Sequence, residues 1–288
     1  MLDQAERLRT MAAKKNIDEN SIKGPVIITV TSGKGGVGKS NFVVNLSITL
    51  QKMGKKVLIF DADVGMGNDD VLLGCSAKYN VFDVIYNNME IEDVVLNGPF
   101  GVKLLAGGSG ITRIKELSNK QINNFIGKLS RMENLDYIIM DTGAGVNRNV
   151  LGFISCCSEL IIVTTPEPTS LMDAYSLFKA VTHFNIKKTA KVVINRVIDS
   201  NEGIDTYNKF ENVARKFLKS DTEFLGSISE DSKLLKAVRN QNPFVLQSPN
   251  CDASRDIKYI ANKLIGTTNG KNGLGIEGLF KKIFKIFS

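Results

Sequence analysis

A glycine-rich segment at residues 32–40, Ser-Gly-Lys-Gly-Gly-Val-Gly-Lys-Ser, has residue types and a spacing suited to binding phosphate. The pattern G-x-x-x-x-G-K-[ST] is matched by Gly33, Gly38, Lys39 and Ser40. Glycines allow backbone N–H groups to surround phosphate oxygens, which larger residues would block. The Lys39 ammonium would neutralise the terminal phosphates, and the Ser40 hydroxyl can bind Mg²⁺. The predicted nucleotide contacts from this segment and the residue after it are Gly33, Lys34, Gly35, Gly36, Val37, Gly38, Lys39, Ser40 and Asn41.

Two acidic clusters add carboxylates that could act on the same metal ion. The apolar run 57–60 leads into Asp61 and Asp63. A second apolar run, 137–140, leads into Asp141. A carboxylate at the end of a buried strand is costly to bury unless a cation pairs with it, and nucleotide-bound Mg²⁺ would be such a cation. An Asp that caps the following helix is the alternative. We favour the metal interpretation because both clusters occur together with the phosphate-binding pattern.

The elements that would position these residues are alternating strands and helices. Apolar runs rich in β-branched residues recur at 26–30, 57–60, 102–105, 137–140, 160–164, 191–194 and 224–228. Stretches with helical patterning lie between most of them, at 42–53, 118–130, 170–184 and 207–219. This alternation predicts a doubly wound α/β fold in one domain, with a mainly parallel sheet and helices on both faces. Such folds bind ligands at the carboxyl ends of their strands, where the glycine-rich segment and both acidic clusters fall.

Composition narrows the class of protein. The chain has 288 residues and a formal net charge of +7, of which only +3 lies in residues 24–266, too little to indicate nucleic-acid binding. Four cysteines without a C-x-x-C pair and a single histidine do not suggest a metal cluster, and free thiols are typical of a reducing cytoplasm. No window is apolar enough to span a bilayer, and no signal peptide opens the sequence. We therefore expect a cytoplasmic protein.

The C-terminal residues 275–288 have an amphipathic helical pattern. The apolar face consists of Ile276, Leu279, Phe280, Ile283, Phe284 and Phe287, and the polar side carries Lys281, Lys282 and Lys285. A large apolar face opposite a basic face is typical of helices that lie in an anionic membrane surface. Docking of this helix onto the domain is the alternative. Because the preceding stretch 267–274 has the composition of a flexible linker, we favour a tethered membrane-targeting helix.

The early lysine of the glycine-rich segment, Lys34, resembles the signature lysine of the MinD/ParA family, whose P-loop carries a deviant Walker A motif. The resemblance implies an ATPase that uses Mg²⁺ and forms a homodimer, in which Lys34 reaches the partner's ATP. It also implies that Asp141 acts on Mg²⁺, usually through water, and that Asp61 belongs to the same metal-facing segment. Asp63 would orient the attacking water. With a single carboxylate on that water, hydrolysis would be slow and dimer-dependent.

The same resemblance gives roles to three residues in the second half of the chain. In the run Val193-Ile194-Asn195-Arg196, Asn195 stands where the family contacts adenine. Glu167 and Asp173 stand where the family places partners for the early lysine at the dimer interface. Each of the three could instead be an ordinary polar residue of a loop.

Residues 1–23 precede the first strand and have the length of a helix. Their pattern alone favours a frayed leader. The run Asp-Gln-Ala-x-x-Leu-Arg ahead of such an ATPase, however, resembles the FlhG (YlxH) branch of the family, which regulates flagellar number. That resemblance implies that the segment binds an FlhF-type GTPase and stimulates GTP hydrolysis, with Gln4 entering the GTPase active site. The residues that would do so are Asp3, Gln4, Leu8 and Arg9.

The resemblance divides the chain into a GTPase-activating segment (1–23), a MinD-like ATPase domain (24–266), a linker (267–274) and a membrane helix (275–288). It implies a switch for flagellar placement or number that moves between the cytoplasm and the inner face of the cell membrane, with basal-body (C-ring) proteins as further partners. A MinD-type division-site regulator and a ParA-like DNA-segregation ATPase stay open as alternatives. An iron–sulfur carrier is disfavoured because Cys156 and Cys157 are adjacent rather than spaced as cluster ligands.

Overall fold

The computed structural model describes residues 24–63, 67–108, 114, 116–132, 134–268 and 274–288. Its strands are β1 Val26–Ser32, β2 Val57–Ala62, β3 Leu96–Asn97, β4 Lys103–Ala106, β5 Tyr137–Ala144, β6 Glu159–Thr164, β7 Thr189–Val197 and β8 Asp221–Ser229. They form one sheet in the order β3-β4-β2-β5-β1-β6-β7-β8. Every neighbouring pair is parallel except β3 with β4. The predicted doubly wound, mainly parallel α/β fold is confirmed.

Helices connect the strands and cover both faces of the sheet. They are α1 Lys39–Lys52, α2 Asp69–Leu72, α3 Val81–Tyr86, α4 Ile91–Val94, α5 Asn119–Leu129, α6 Arg148–Cys156, α7 Pro168–His183, α8 Ser200–Val213, α9 Ser232–Arg239, α10 Phe244–Gln247, α11 Asp252–Thr268 and α12 Ile276–Phe287. A π-helical turn, Ala214–Leu218, extends α8. Each helical stretch predicted from the sequence overlaps a helix, although the last of them begins at Ser200 rather than at residue 207.

The central strands bury both of their faces. All seven residues of β1 are buried, and successive residues point to opposite sides, so Ile27 belongs to one core and Ile28 to the other. The first core packs α5, α6, α7 and α12 against the sheet, and the second packs α1, α10 and α11 against the opposite face. This cover on both sides explains why the strands read as continuous apolar runs rather than as an alternation of apolar and polar residues.

The strand order brings the predicted site residues to one point on the sheet edge. β1 leads into the glycine-rich segment and lies between β5 and β6. In the register of the sheet, Asp141 of β5 is paired with Asp61 of β2 on one side and with Val30 of β1 on the other. The chain leaves β1 toward β2 and later reaches β6 on the opposite side of β1. This divergence opens a crevice at the carboxyl ends of the strands, where doubly wound folds bind ligands.

The C-terminal helix α12 packs onto the domain through its apolar face. Phe280 is buried, and its ring centroid lies 5.1 Å from that of Phe60 and 5.2 Å from that of Phe125 on α5. Phe287 packs 5.1 Å from Phe153 on α6. In this structure the tail is therefore part of the core, contrary to the expectation of a tethered helix. The reason is that α5, α6 and β2 supply an aromatic surface that the pattern of the tail itself does not reveal.

The start of the predicted linker also needs correction. Helix α11 continues to Thr268, whose hydroxyl donates to the Leu264 carbonyl over 2.7 Å. The same hydroxyl lies 2.8 Å from the Tyr137 hydroxyl at the start of β5. Residues 267 and 268 are therefore helical rather than part of a linker.

Other parts of the predicted organisation fall outside the described residues. These are most of the linker, residues 269–273, and the N-terminal segment with Asp3, Gln4, Leu8 and Arg9. Among the helices in the described parts of the chain, none combines the length and the apolar character needed to cross a bilayer.

Docking of the tail can be tested by Phe280→Ala in the nucleotide-free protein. Because Phe280 fills an aromatic cluster, its truncation should lower the free energy of unfolding by about 3 kcal/mol if α12 is docked in solution. Urea denaturation measures this change. Lys285→Ala on the exposed side of the same helix is the matched control and should have little effect. Equal stabilities of the two variants would contradict the docked arrangement.

Candidate nucleotide-binding site

The glycine-rich segment forms a tight loop that only glycines can build at two positions. Gly38 has a φ of +91°, and a Cβ atom there would lie 2.3 Å from the Asn195 amide nitrogen. A Cβ atom at Gly33 would lie 2.1 Å from the backbone carbon of Asp173. Helix α1 begins at Lys39 directly after the loop, and no side chain caps it. Its first N–H groups and the positive end of its dipole are thus available to an anion such as a phosphate.

The cation of the loop, Lys39, is buried in an ion pair. Its ammonium donates to Asp141 Oδ1 over 2.6 Å and to the Ser40 hydroxyl over 3.4 Å. Both Lys39 and Asp141 are almost completely buried. The three residues that the sequence assigned to phosphate and metal are thus in direct contact, and phosphate oxygens entering the loop would compete with Asp141 for Lys39.

Asp61 lies beside this ion pair in a strongly negative environment. Its carboxylate accepts hydrogen bonds from the backbone N–H groups of Asp63 and Asp69. Burial, reinforced by the Asp141 carboxylate, nevertheless raises the pKa of Asp61 to about 7. The backbone at Gly67, just before α2, packs closely on this side chain, because a Cβ atom at Gly67 would lie 2.3 Å from Asp61 Oδ2. A cation next to Asp61 would relieve this unfavourable arrangement of charges.

A further carboxylate, Asp69 at the start of α2, belongs to the same cluster and was missed by the sequence reasoning. Asp69 is completely buried, and both of its carboxylate oxygens lack a hydrogen-bond partner among the described residues. Burial, the Asp141 carboxylate and the Asp61 carboxylate hold the pKa of Asp69 well above its usual range. The doublet Asp69-Asp70 was visible in the sequence, but nothing in it indicates which of the two residues is buried.

The donor set suits Mg²⁺ that arrives with a nucleotide. Asp61, Asp69 and Asp141 bring three carboxylates to a site with one lysine, Lys39, and the oxygens of Asp69 have no partner. Hard oxygen donors and surplus negative charge favour this cation, which commonly keeps several waters and uses phosphate oxygens as ligands. In the described parts of the chain, no three acidic, His or Cys side chains converge closely enough to hold a metal ion by themselves. The ion would therefore depend on the Ser40 hydroxyl, water and phosphate for its remaining ligands.

Asp63, assigned to the attacking water, lies next to open space. A Cβ atom at Gly143 would lie 3.4 Å from Asp63 Oδ1, so the carboxylate faces the end of β5. A cavity of about 410 Å³ adjoins Asp63 and is also lined by Asn147, Arg148 and Phe153 of the segment that begins α6. Arg148 is a cation near this carboxylate that the sequence reasoning did not identify. The cavity gives a water molecule room to approach Asp63.

The signature lysine, Lys34, pairs within its own chain. Its ammonium donates to Glu167 Oε2 and to the Thr169 hydroxyl, each over 3.2 Å. The Lys34 and Glu167 side chains are 42% and 58% exposed, so the pair is open to solvent. Glu167 and Asp173, both assigned to the dimer interface, thus adjoin the glycine-rich loop, Glu167 through Lys34 and Asp173 through its backbone at Gly33.

Two residues near the end of β7 hydrogen-bond to the backbone of the glycine-rich loop. Asn195, assigned to the adenine, donates its amide N–H to the Val37 carbonyl over 2.7 Å and is buried. The next residue, Arg196, adopts a left-handed φ of +60° and donates to the Gly36 carbonyl over 2.9 Å. The loop contact of Arg196 was not predicted. An adenine contact by Asn195 stays a prediction, because these hydrogen bonds involve the loop backbone.

Substitution of Lys39 and of Lys34 should change the free energy of unfolding by different amounts, because the first is buried and the second is exposed. Lys39→Ala leaves the Asp141 carboxylate buried without its cation, and the free energy of unfolding should fall by about 3 kcal/mol. Lys34→Ala, the matched control, removes a solvent-exposed pair and should cost less than about 1 kcal/mol. Urea denaturation of the nucleotide-free protein measures both values. A larger loss for Lys34→Ala than for Lys39→Ala would contradict the burial described here.

Comparison with known sequences identifies relatives that cover most or nearly all of the chain. The ParA family profile, described as the NUBPL iron-transfer P-loop NTPase, matches residues 24–265. The antiactivator FleN of Pseudomonas aeruginosa is 36% identical over 239 residues, which cover 83% of this chain and 85% of FleN. The flagellum site-determining protein YlxH of Helicobacter pylori is 32% identical over 293 aligned residues, which cover 99% of each chain.

Solved structures of the same family have the same fold. In the MinC:MinD cell division complex of Aquifex aeolicus, the matched chain has a TM-score of 0.67 and 27% identity, with 87% of this chain and 99% of that chain covered. The septum site-determining protein MinD of Pyrococcus horikoshii, solved with Mg-ADP, has a TM-score of 0.66 at 24% identity, with 85% and 98% covered, and supports the fold alone. Proteins of this family are P-loop NTPases that act as ATPases. The glycine-rich loop, the strand order and these matches show that the chain belongs to the ParA/MinD family of P-loop NTPases.

Proposed function

We propose that this chain is an ATP-driven switch that regulates the placement or number of flagella. The observation that carries the proposal is the extent of the match to YlxH, which covers 99% of this chain, whereas the family profile stops at residues 24–265. The similarity therefore includes the two ends of the chain, which lie outside the part matched by the family profile. The name of the second relative, antiactivator FleN, supports a regulatory role rather than a metabolic one.

In this proposal, ATP brings two copies of the chain together. Lys34 lies on the exposed side of the loop and, among the described residues, pairs with two solvent-exposed side chains, those of Glu167 and Thr169. Such a pair contributes little free energy, so Lys34 can leave it at small cost to reach the nucleotide of a second copy. Lys39, in contrast, is buried and stays with the phosphates of its own subunit. Lys39 would thus serve nucleotide binding, and Lys34 would serve dimerisation.

Hydrolysis would end the dimeric state. Mg²⁺ supplies charge neutralisation at the phosphates, and Lys39 and the N–H groups of the loop position them. Asp63, next to the cavity at the end of β5, would orient the attacking water. Because a single carboxylate would position the water, we expect slow turnover. Because Lys34 of the second copy would reach the same nucleotide, we expect turnover to depend on the dimer. Slow turnover suits a switch, whose two states must persist long enough to be recognised by partners.

Membrane association would be the output of the switch. The apolar face of α12 that could enter a membrane interface is buried against α5 and α6 in this structure, so binding requires the tail to leave the domain. Lys281 and Lys285 on its polar side are exposed and could face anionic lipid. One short helix binds marginally, whereas two tails on an ATP dimer would gain avidity of roughly 10²-fold or more. The nucleotide would thereby control location at the inner face of the cell membrane.

The N-terminal segment would act on an FlhF-type GTPase. Its resemblance to the FlhG branch and the whole-length match to YlxH support this assignment. A glutamine such as Gln4 can orient a water molecule for GTP hydrolysis. Basal-body (C-ring) proteins would be further partners of the same switch.

A MinD-type division-site regulator is the second candidate. The match to the MinC:MinD complex, with a TM-score of 0.67 at 27% identity, favours it because a MinD-like surface could bind a division inhibitor. The burial of Cys156 and Cys157 in the core argues further against an iron–sulfur carrier, because cluster ligands at a dimer axis would have to be accessible.

The ATP switch is tested by Lys34→Ala and Asp63→Ala in the full chain. Lys34→Ala should retain ADP binding but remain monomeric with ATP, whereas Asp63→Ala should accumulate as an ATP-bound dimer because its hydrolysis is blocked. Light scattering coupled to size-exclusion chromatography measures the mass. Co-sedimentation with phosphatidylglycerol-containing vesicles should follow the dimer. A charge-reversed tail, Lys281→Glu with Lys285→Glu, is the control that should dimerise without sedimenting.

The flagellar assignment is tested by GTP hydrolysis. An FlhF-type GTPase from the same organism should be stimulated by a peptide of residues 1–23, and Gln4→Ala in that peptide should abolish the stimulation. If neither peptide stimulates hydrolysis, the flagellar assignment loses its mechanism and the MinD-type alternative becomes the better explanation. The dimer and membrane results would be unaffected, so the two parts of the proposal are judged separately.

A further inference from the structure

Asp69 is a completely buried carboxylate that adjoins another carboxylate, that of Asp141, and finds no hydrogen-bond donor among the described residues. It is the first residue of α2, and its backbone N–H donates to the carboxylate of Asp61. Neither of its own carboxylate oxygens accepts a hydrogen bond from a described residue. A buried ionised carboxylate without a partner costs several kcal/mol of folding free energy. Such a cost is usually tolerated where the group has a function.

The surroundings of Asp69 call for a cation rather than for a hydrogen-bond donor from the protein. The charged groups that act on Asp69 are Asp141 and Asp61, which are negative, and Lys39, which is positive. Lys39 is already engaged by Asp141 over 2.6 Å. One ammonium therefore faces three carboxylates inside the protein. A divalent cation at this point would bring the charges close to balance.

Of the two adjacent aspartates, Asp69 and Asp70, it is Asp70 whose side chain has a structural role. Asp70 Oδ1 accepts from the Val71 N–H over 2.8 Å, and Asp70 Oδ2 accepts from the Ala77 N–H over 2.9 Å. Asp70 thus holds the backbone around α2, as aspartates at helix starts commonly do. Asp69 makes no equivalent contact with its side chain. The two adjacent aspartates therefore have different environments, and that of Asp69 points toward the metal.

We propose that Asp69 is an additional residue of the Mg²⁺ site, whose carboxylate accepts hydrogen bonds from waters bound to the ion. Mg²⁺ gives up its waters reluctantly, and the described acidic side chains do not converge as a ready-made cage, so contact through water fits the arrangement better than direct coordination. This inference rests on the proposed function, since it concerns the same ATP- and Mg²⁺-dependent site.

The position of Asp69 gives this role a consequence for switching. Asp61 and Asp63 stand before residues 64–66, and Asp69 stands shortly after them. With Asp69 on the metal waters, Asp61 and Asp69 would be held by the same ion. Asp63, which would orient the attacking water, donates its backbone N–H to Asp61 and would be held in place through it when Mg²⁺ and nucleotide are bound. Asp69 is in this sense a positioning residue, since it acts through the ion and its waters.

The test measures the Mg²⁺ requirement of ADP binding to the full chain by isothermal titration calorimetry, in a MgCl₂ series and in EDTA. Asp69→Asn keeps the shape of the side chain and removes its charge. Asp69→Val is a second variant, because an apolar side chain needs no partner at a buried position. Asp70→Asn is the matched control, since it removes the same charge one residue away. ADP avoids any dependence of the readout on hydrolysis.

Both Asp69 variants should need about tenfold more Mg²⁺ for half-maximal enhancement of ADP binding, equivalent to about 1.4 kcal/mol. ADP binding in EDTA should be unchanged or tighter, because a negative charge near the phosphates has been removed. The control should stay within about twofold of wild type. The melting temperature of the metal-free, nucleotide-free protein should be unchanged or higher for Asp69→Asn, since the amide removes the cost of holding a carboxyl group buried beside Asp61 and Asp141.

A wild-type Mg²⁺ requirement in Asp69→Asn or Asp69→Val would overturn the inference. An equal increase in Asp70→Asn would also overturn it, because the effect would then come from packing around α2. A lowered melting temperature of Asp69→Asn with an unaltered Mg²⁺ requirement would assign Asp69 a structural role instead. If wild-type protein bound no ADP with or without Mg²⁺, the proposed ATP switch would fail, and this inference with it.

Discussion

The buried ion pair between Lys39 and Asp141 is the interaction on which the site depends. It joins the start of α1 to the end of β5, and through the register of the sheet it brings Asp61 of β2 into the same cluster. A single lysine cannot compensate the carboxylates gathered there, so burial and mutual repulsion raise the pKa values of Asp61 and Asp69 in the nucleotide-free protein. Such an arrangement is costly in isolation and becomes favourable when Mg²⁺ and phosphate share the site. The site thus lowers the stability of the nucleotide-free protein, and the bound ligands would offset this loss.

The parallel sheet makes this concentration of charge possible. Because β2, β5 and β1 are neighbours with the same direction, three successive carboxyl ends open at one edge, and each delivers its polar residues to the same crevice. The strands before those residues are apolar on both faces and are covered by two separate cores. Rigid, fully buried strands fix the positions of side chains more precisely than loops could. The charges therefore stay close together although they repel each other.

Local signals made much of this arrangement predictable from the sequence. The glycine-rich loop is specified by backbone conformations that only glycine adopts readily, as at Gly38, and the strands by continuous apolar runs. The roles of Asp69 and Arg196 could not be inferred in the same way, because they arise from contacts between segments that are distant in the sequence. The docked position of the tail was not the favoured expectation for a related reason. An apolar helix face looks the same whether its partner is a membrane or the aromatic side chains Phe125 and Phe153, and only the fold decides between them.

The docked tail and the site are linked by one short helix. Helix α6 begins just after the end of β5, and its residues Arg148 and Phe153 line the cavity next to Asp63. The same Phe153 packs against Phe287 of the tail, and a Cβ atom at Gly152 would lie 2.9 Å from the ring of Phe287. The packing between α6 and the tail is therefore too close to tolerate a shift of either helix without repacking, because interiors at this density do not deform continuously. Helix α6 thus borders both the cavity beside Asp63 and the docked tail, and the close approach at Gly152 leaves no room for a larger residue between α6 and the tail.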